Sequence, residues 1–163
     1  MRATLLYGTR DVRLDEVPDP VVQRPGDAIV RIVASCVCGS DVWPYRGIRP
    51  VREPRRIGHE LVGVVENVGS DVRTVSPGDF VIAPFVLSDG TCLNCRNGMQ
   101  TSCLHGAAWG HDDEDGFLVD AGQGEFARVA MADGTLVRTP EPPDDTLVPS
   151  LLALSDVMGT GHH

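Results

Sequence analysis

The sequence predicts a mainly β fold, a barrel or sandwich of short strands. Three observations carry this reading. Short runs rich in β-branched residues recur along the chain between turn signals. Glycine and proline, 18 and 12 of the 163 residues, are a turn-rich excess that points toward many short strands. A helix-compatible apolar pattern begins only near Asp144.

Taken in order, Ala3–Tyr7 and Val12–Val17 flank Gly8-Thr9-Arg10-Asp11 and read as a hairpin. Pro18-Asp19-Pro20 breaks the chain, and Ala28–Val37 is a strand entered from Gly26-Asp27. Leu61–Val68 is another, with Gly63 inside it marking a bulge or a close backbone approach. Ser76-Pro77-Gly78-Asp79 turns the chain into the strand Phe80–Ala83, and Gly124–Ala132 is the last strand. Asp144-Asp145-Thr146 starts a helix with Pro149 in its first turn, and a second helix runs from Asp156 into a turn at Gly159-Thr160-Gly161.

The balance of 14 basic against 23 acidic residues, net −9, argues against a nucleic-acid or anionic-membrane binder. No run approaches the roughly 20 apolar residues of a membrane span, and the charged start, Met1 to Val12, does not resemble a signal peptide. Five cysteines, three of them clustered, read as metal binding in a reducing, cytoplasmic compartment rather than as a disulfide framework.

Cys92-x2-Cys95-x7-Cys103 can wrap a tetrahedral zinc ion as a closed structural site. Asp89, one step upstream in the same rhythm, stands ahead of His105 as the fourth ligand. A scattered set also emerges. Cys38 and His59 each sit beside a glycine at a strand edge, and together supply two of the three protein ligands that a catalytic zinc takes.

These residues carry a resemblance. The pattern G-H-E-x2-G-x5-G-x2-V is met by Gly58, His59, Glu60, Gly63, Gly69 and Val72, followed by Gly78-Asp79-Phe80-Val81 and preceded by Cys38-Gly39-Ser40-Asp41. The chain resembles, over its whole length, the zinc-dependent alcohol dehydrogenases of the medium-chain dehydrogenase/reductase family. The resemblance implies a GroES-like, partly open β-barrel with short helices over residues 1–145. Residues 146–163 would start a connection toward a Rossmann cofactor domain whose G-x-G-x-x-G fingerprint is absent here.

It also implies roles. Cys38, His59 and Asp156 would hold the catalytic zinc, with Glu60 able to exchange onto it. Ser40 would bond the substrate oxygen and pass its proton on, and Asp41 would fix the His59 tautomer. Trp43 and Phe85 would line the substrate pocket, and Thr160 would lie near the nicotinamide. Asp89, Cys92, Cys95 and Cys103 would hold the structural zinc. The sequence departs from the family pattern at Asp89, where most members have cysteine, and at Trp43, where a relay histidine is usual. The implied proton route then runs through water or His162.

The implied activity is oxidation of a small alcohol to an aldehyde or ketone with hydride transfer to NAD(P)+. The full-length form is expected to be a homodimer or homotetramer, and this chain alone is expected to turn over little. The other classes are a free-standing zinc-stabilised binding module and a reductase without catalytic zinc; the pair Cys38 and His59 argues against the latter.

Other features have plainer readings. Five arginines between Arg46 and Arg56 form a solvated loop or, functionally, an anion site for a charged substrate or cofactor phosphate. Asp112-Asp113-Glu114-Asp115 reads as an exposed loop, His111 as a loop residue, and Cys36 as a small core residue of a regular strand. Trp43, Tyr45 and Trp109 read as packing or pocket lining.

Overall fold

The computed structural model describes residues 1–49, 51 and 54–162. Its hairpin pairs β1 (Arg2–Gly8) with β2 (Asp11–Glu16), and Arg10 takes a positive φ of 61° in the tight turn. The long antiparallel pair is β3 (Ala28–Ser35) with β5 (Leu61–Val68). Around it lie β4 (Arg55–Arg56), β6 (Phe80–Ala83), β7 (Phe126–Val129) and β8 (Val137–Arg138). They form one sheet of order β2-β1-β4 and a second of order β7-β3-β5-β6-β8. An Ala3–Gly124 bridge joins the two sheets. Every strand pair is antiparallel, so the described residues contain no parallel β-α-β unit. The mainly β expectation holds.

The core lies on the inner face of the larger sheet, where Val30, Leu61, Val65, Val81, Val129 and the loop residues Leu87 and Val119 are almost fully buried. Gly63 marks a close approach: a Cβ there would run into the Arg31 carbonyl across the β3–β5 pair. The helices α1 (Val42–Tyr45), α2 (Leu93–Arg96) and α3 (Ala132–Thr135) are single turns. Then come α4 (Val148–Ala153), with Pro149 in its first turn, and α5 (Val157–His162). Val148, Leu151 and Leu152 of α4 pack on Val62, Phe80 and Ile82, the other face of the larger sheet. No helix among the described residues is long and apolar enough to cross a membrane.

Several expectations need correction. β3 ends at Ser35 rather than Val37, because the chain turns away and Cys36 N–H bonds the Glu60 carbonyl, which lies just before β5. The last long strand stops at Val129, since Met131 adopts a left-handed conformation and α3 follows. Gly159 and Gly161 lie inside α5 instead of ending it; Thr160 N–H bonds the Asp156 carbonyl at 3.0 Å, a helical contact. The acidic run is not uniformly exposed. Asp113, 4% exposed, accepts from buried Arg128 at 2.8 Å, and Arg128 also forks onto Asp27 at 2.6 and 3.2 Å. Two carbonyls, of Phe117 and Leu118, take further Arg128 donors. A buried guanidinium is tolerable only when satisfied in this way.

Candidate metal centres

The first donor set is built within one loop. The side chain of Asp89 closes an Asx turn, accepting from Thr91 N–H at 2.7 Å and Cys92 N–H at 2.9 Å. Burial pushes the Asp89 carboxyl up, but these two N–H groups, together with the Cys95 and Cys92 side chains, outweigh it and hold its pKa at about 2. Cys92 caps α2, and its sulfur accepts from the backbone of Cys95 and Leu104, each at 3.5 Å. These donors lower the Cys92 pKa, whereas burial pushes Cys95 up to about 12. Cys92 and Cys103 sulfurs lie 4.0 Å apart. Ligand atoms of Asp89, Cys92, Cys95 and Cys103 all lie within 4.8 Å of one another. Bond lengths of about 2.0–2.3 Å put tetrahedral ligands roughly 3.3–3.8 Å apart, so the set fits a zinc ion. His105 stands outside it, exposed and 4.0 Å from Asp89.

The second set is assembled from distant segments. Cys38 enters a short 3-10 turn, Gly39–Asp41, just after β3. His59 precedes β5, where buried Gly58 takes a φ of 97° to turn the chain against Gln123. Asp156 sits at the start of α5. Asp41 ties the first two together. One of its oxygens accepts from Cys38 N–H at 3.0 Å, and the other lies 3.3 Å from His59 Nδ1. That Asp41 contact, helped by the Cys38 sulfur and opposed by burial, raises the His59 pKa to about 9. It also leaves Nε2 facing Asp156 at 3.6 Å and Glu60 at 3.9 Å, while Cys38 sulfur lies 3.9 Å from Asp156. Ligand atoms of Cys38, His59, Glu60 and Asp156 lie within 4.8 Å of one another. One thiolate, one imidazole and one carboxylate, with a second carboxylate in reserve, is a donor set that fits zinc.

Ser40 and His59 line a cleft of about 550 Å³ with Phe85, Leu87 and Trp109. Trp109, buried, donates its indole N–H to the Pro84 carbonyl at 3.1 Å. Trp43 is 44% exposed on α1 under the Arg49 guanidinium, and it is not among the residues lining this cleft. Thr160 is exposed on α5, and its hydroxyl donates to Asp156. Two residues gain contacts that the sequence did not foretell. Cys36 donates its thiol to Glu60 at 2.9 Å, and burial together with that bond pushes its pKa up to about 12. His111 lines the cleft, although nothing in its local pattern marks it. Of the arginine run, Arg52, and with it the neighbouring Glu53, lies outside the described residues.

A two-sheet β domain with two convergent zinc-type donor sets, one within a loop and one beside an open cleft, defines a GroES-like metal-binding class. The chain belongs to the alcohol dehydrogenase GroES-like domain family, whose profile matches residues 24–141. It is 34% identical over 99% of its length to zinc-type alcohol dehydrogenase B of Aspergillus flavus, covering 36% of that protein. It is 37% identical to a medium chain reductase/dehydrogenase of Acremonium sp, covering 99% of this chain and 53% of that one. The solved alcohol dehydrogenase TADH from Thermus sp. ATN1 superposes with a TM-score of 0.87 at 32% identity, over 99% of this chain and 46% of that chain. The chain thus spans about a third to a half of the length of these relatives.

Proposed function

We propose that this chain is the zinc-bearing catalytic domain of an NAD(P)-dependent alcohol dehydrogenase. The observation that carries the reading is the convergence of Cys38, His59 and Asp156 beside an open cleft that Ser40 lines. Cys38, His59 and Asp156 would hold the catalytic ion, and Asp89, Cys92, Cys95 and Cys103 the structural one. When bound, the catalytic zinc supplies the Lewis acidity that makes an alcohol hydroxyl acidic near neutral pH.

The residues of the chain do the rest. Asp41 accepts His59 Nδ1–H, fixing the tautomer that presents Nε2 as ligand. Glu60, held by the Cys36 thiol, is the spare carboxylate. Ser40 accepts the substrate hydroxyl proton and passes it to water; its exposure supports that route, and no bond from Ser40 to His162 is present among the described residues. Phe85 and Trp109 shape the pocket for a small alcohol, and Thr160 borders the nicotinamide. The reaction removes one proton from the alcohol by this route and one hydride from its carbon to NAD(P)+.

Residues 1–145 form the catalytic body, and 146–163 lead toward the cofactor domain. Five unpaired thiols support a reducing, cytoplasmic setting. We expect the full enzyme to assemble as a homodimer or homotetramer, covering exposed apolar side chains such as Leu93 and Leu104. Elemental analysis of the purified chain tests the reading. About two zinc ions per chain are expected, falling to one in Cys38→Ser; a wild-type count of one that Cys38→Ser leaves unchanged overturns it.

A further inference from the structure

A cleft of about 940 Å³ lies next to the proposed active site, lined by Arg49, Arg55, Arg56 and His111 together with Asp112. A recess of about 180 Å³ is lined both by Arg49, Arg55 and Arg56, which it shares with that cleft, and by Ser40, His59 and Trp109, which it shares with the cleft of the proposed active site. The chain is strongly acidic overall, so three guanidinium groups converging here stand against its charge.

Their charges are not equally free. Arg56 is paired with buried Asp120 and donates to the Pro18 carbonyl at 3.2 Å. Arg49 and Arg55 have no carboxylate partner among the described residues. Arg49 lies over the Trp43 ring, 4.8 Å from its centroid, which holds the guanidinium by its face, and its N–H edge has no hydrogen-bond partner among the described residues. Arg55 reaches His111 Nε2 at 3.0 Å, and its own Nε is enclosed with no hydrogen-bond partner among the described residues. A guanidinium can only donate, so His111 accepts at Nε2 and keeps its proton on Nδ1 as a further donor. Asp41, the acid in the recess, already serves Cys38 N–H and His59. Arg49 and Arg55 line both the cleft and the recess, so their guanidinium groups reach the space an anion would fill, and a planar guanidinium fork matches carboxylate or phosphate oxygens.

We propose that Arg49 and Arg55, with His111 beside them, form an anion subsite opening onto Ser40 and His59. The substrate would then be an alcohol or aldehyde that carries a carboxylate or phosphate group. This substrate class rests on the dehydrogenase reading above; the anion subsite itself does not.

Binding to the zinc-loaded chain tests it, using calorimetry with 4-hydroxybutyrate, 4-hydroxybutyl phosphate and the neutral analogue 1-butanol. At least one charged probe should bind about tenfold or more tighter than 1-butanol, the effect of one charge-assisted hydrogen bond. The better of the two charged probes identifies the anion. The preference should shrink with added salt and collapse in Arg49→Gln and Arg55→Gln. Arg55→Lys should keep part of it, and Arg138→Gln, which removes a distant charge, should keep all of it. Equal binding of charged and neutral probes overturns the proposal. So does a loss in Arg55→Gln no larger than in Arg138→Gln. Zinc counts taken on the same samples separate the two readings, because a chain with an empty catalytic set that still prefers the anion through Arg55 refutes the dehydrogenase and leaves the subsite.

Discussion

The two donor sets differ in how they are made. Asp89, Cys92, Cys95 and Cys103 span one loop, and that loop's own N–H groups already stabilise Asp89 and Cys92 as anions. Cys38, His59 and Asp156 come from three segments, with Cys38 and Asp156 separated by 118 positions. The loop set can close around an ion with little help from the rest of the fold. The distributed set exists only when the barrel is folded and α5 is docked, and it adjoins a cleft. A local, closed set suits stability; a distributed, open one suits chemistry.

Breaking each set in turn should separate these roles, and this is the largest effect expected. Cys95→Ser should lose one zinc and destabilise the chain by about 4 kcal/mol, the linkage contribution of an ion held at about a thousand times its Kd. For a chain of this size that lowers Tm by roughly 8–16 °C. Cys38→Ser should also lose one zinc, with a much smaller change in Tm. In the full-length enzyme its turnover should fall by more than the roughly 10²–10³-fold that follows loss of one preorganised electrostatic group. Thermal melting, zinc content and NAD(P)H formation read the crossover; equal Tm losses in the two variants would erase the distinction.

The same contrast explains what could be read in the sequence. The loop set is legible because all its ligands lie within fifteen consecutive residues, Asp89 to Cys103. In the distributed set, Cys38 and His59 are legible as a pair beside glycines at strand edges, but Asp156 joins them only through the resemblance, because no spacing rule links Cys38 to Asp156. The strands Leu61–Val68 and Phe80–Ala83 fall where alternation and turn residues put them. Strand ends did not. Cys36 leaves its strand for a hydrogen bond that depends on where Glu60 lies. By local pattern Asp113 reads as one of four solvated acids, because its partner, Arg128, is 15 residues away and its burial depends on tertiary packing. Tertiary partners override local charge patterns in the same way for Arg55 and His111.

A smaller effect should sharpen the distributed set alone. Asp41 holds Cys38 N–H and His59 Nδ1 but is not a ligand in the proposed set. Asp41→Asn should weaken zinc binding at the catalytic set about 10–100-fold, the usual cost of losing an outer partner of a metal histidine. Competition with a graded chelator would show one ion leaving earlier and the loop ion unmoved. If both ions weaken together, the sets are not independent.

The smallest expected effect concerns a segment held without metal. Residues 113–118 are tied to the barrel by Arg128, which bonds Asp113 and the Phe117 and Leu118 carbonyls. Burial pushes the Asp113 carboxyl up, but the Arg128 bond and the backbone N–H groups of Phe117 and Asp115 outweigh it and hold it below the usual carboxylate range. A carboxyl with a depressed folded pKa contributes stability that is fully present above its unfolded value, about 3.9. That contribution is lost as pH falls through the lower folded value. Asp113→Asn should therefore cost about 1.5 kcal/mol at neutral pH, the low end for a hydrogen bond to a charged group. It should also flatten the acid limb of the stability curve below about pH 4. Denaturant titrations of the metal-free chain isolate this effect from protonation of zinc ligands. With zinc restored, both ions should remain. If the variant instead loses the loop zinc, the Arg128 tether and the Cys92–Cys103 loop act as one unit, and the loop set is less self-contained than its short spacing implies.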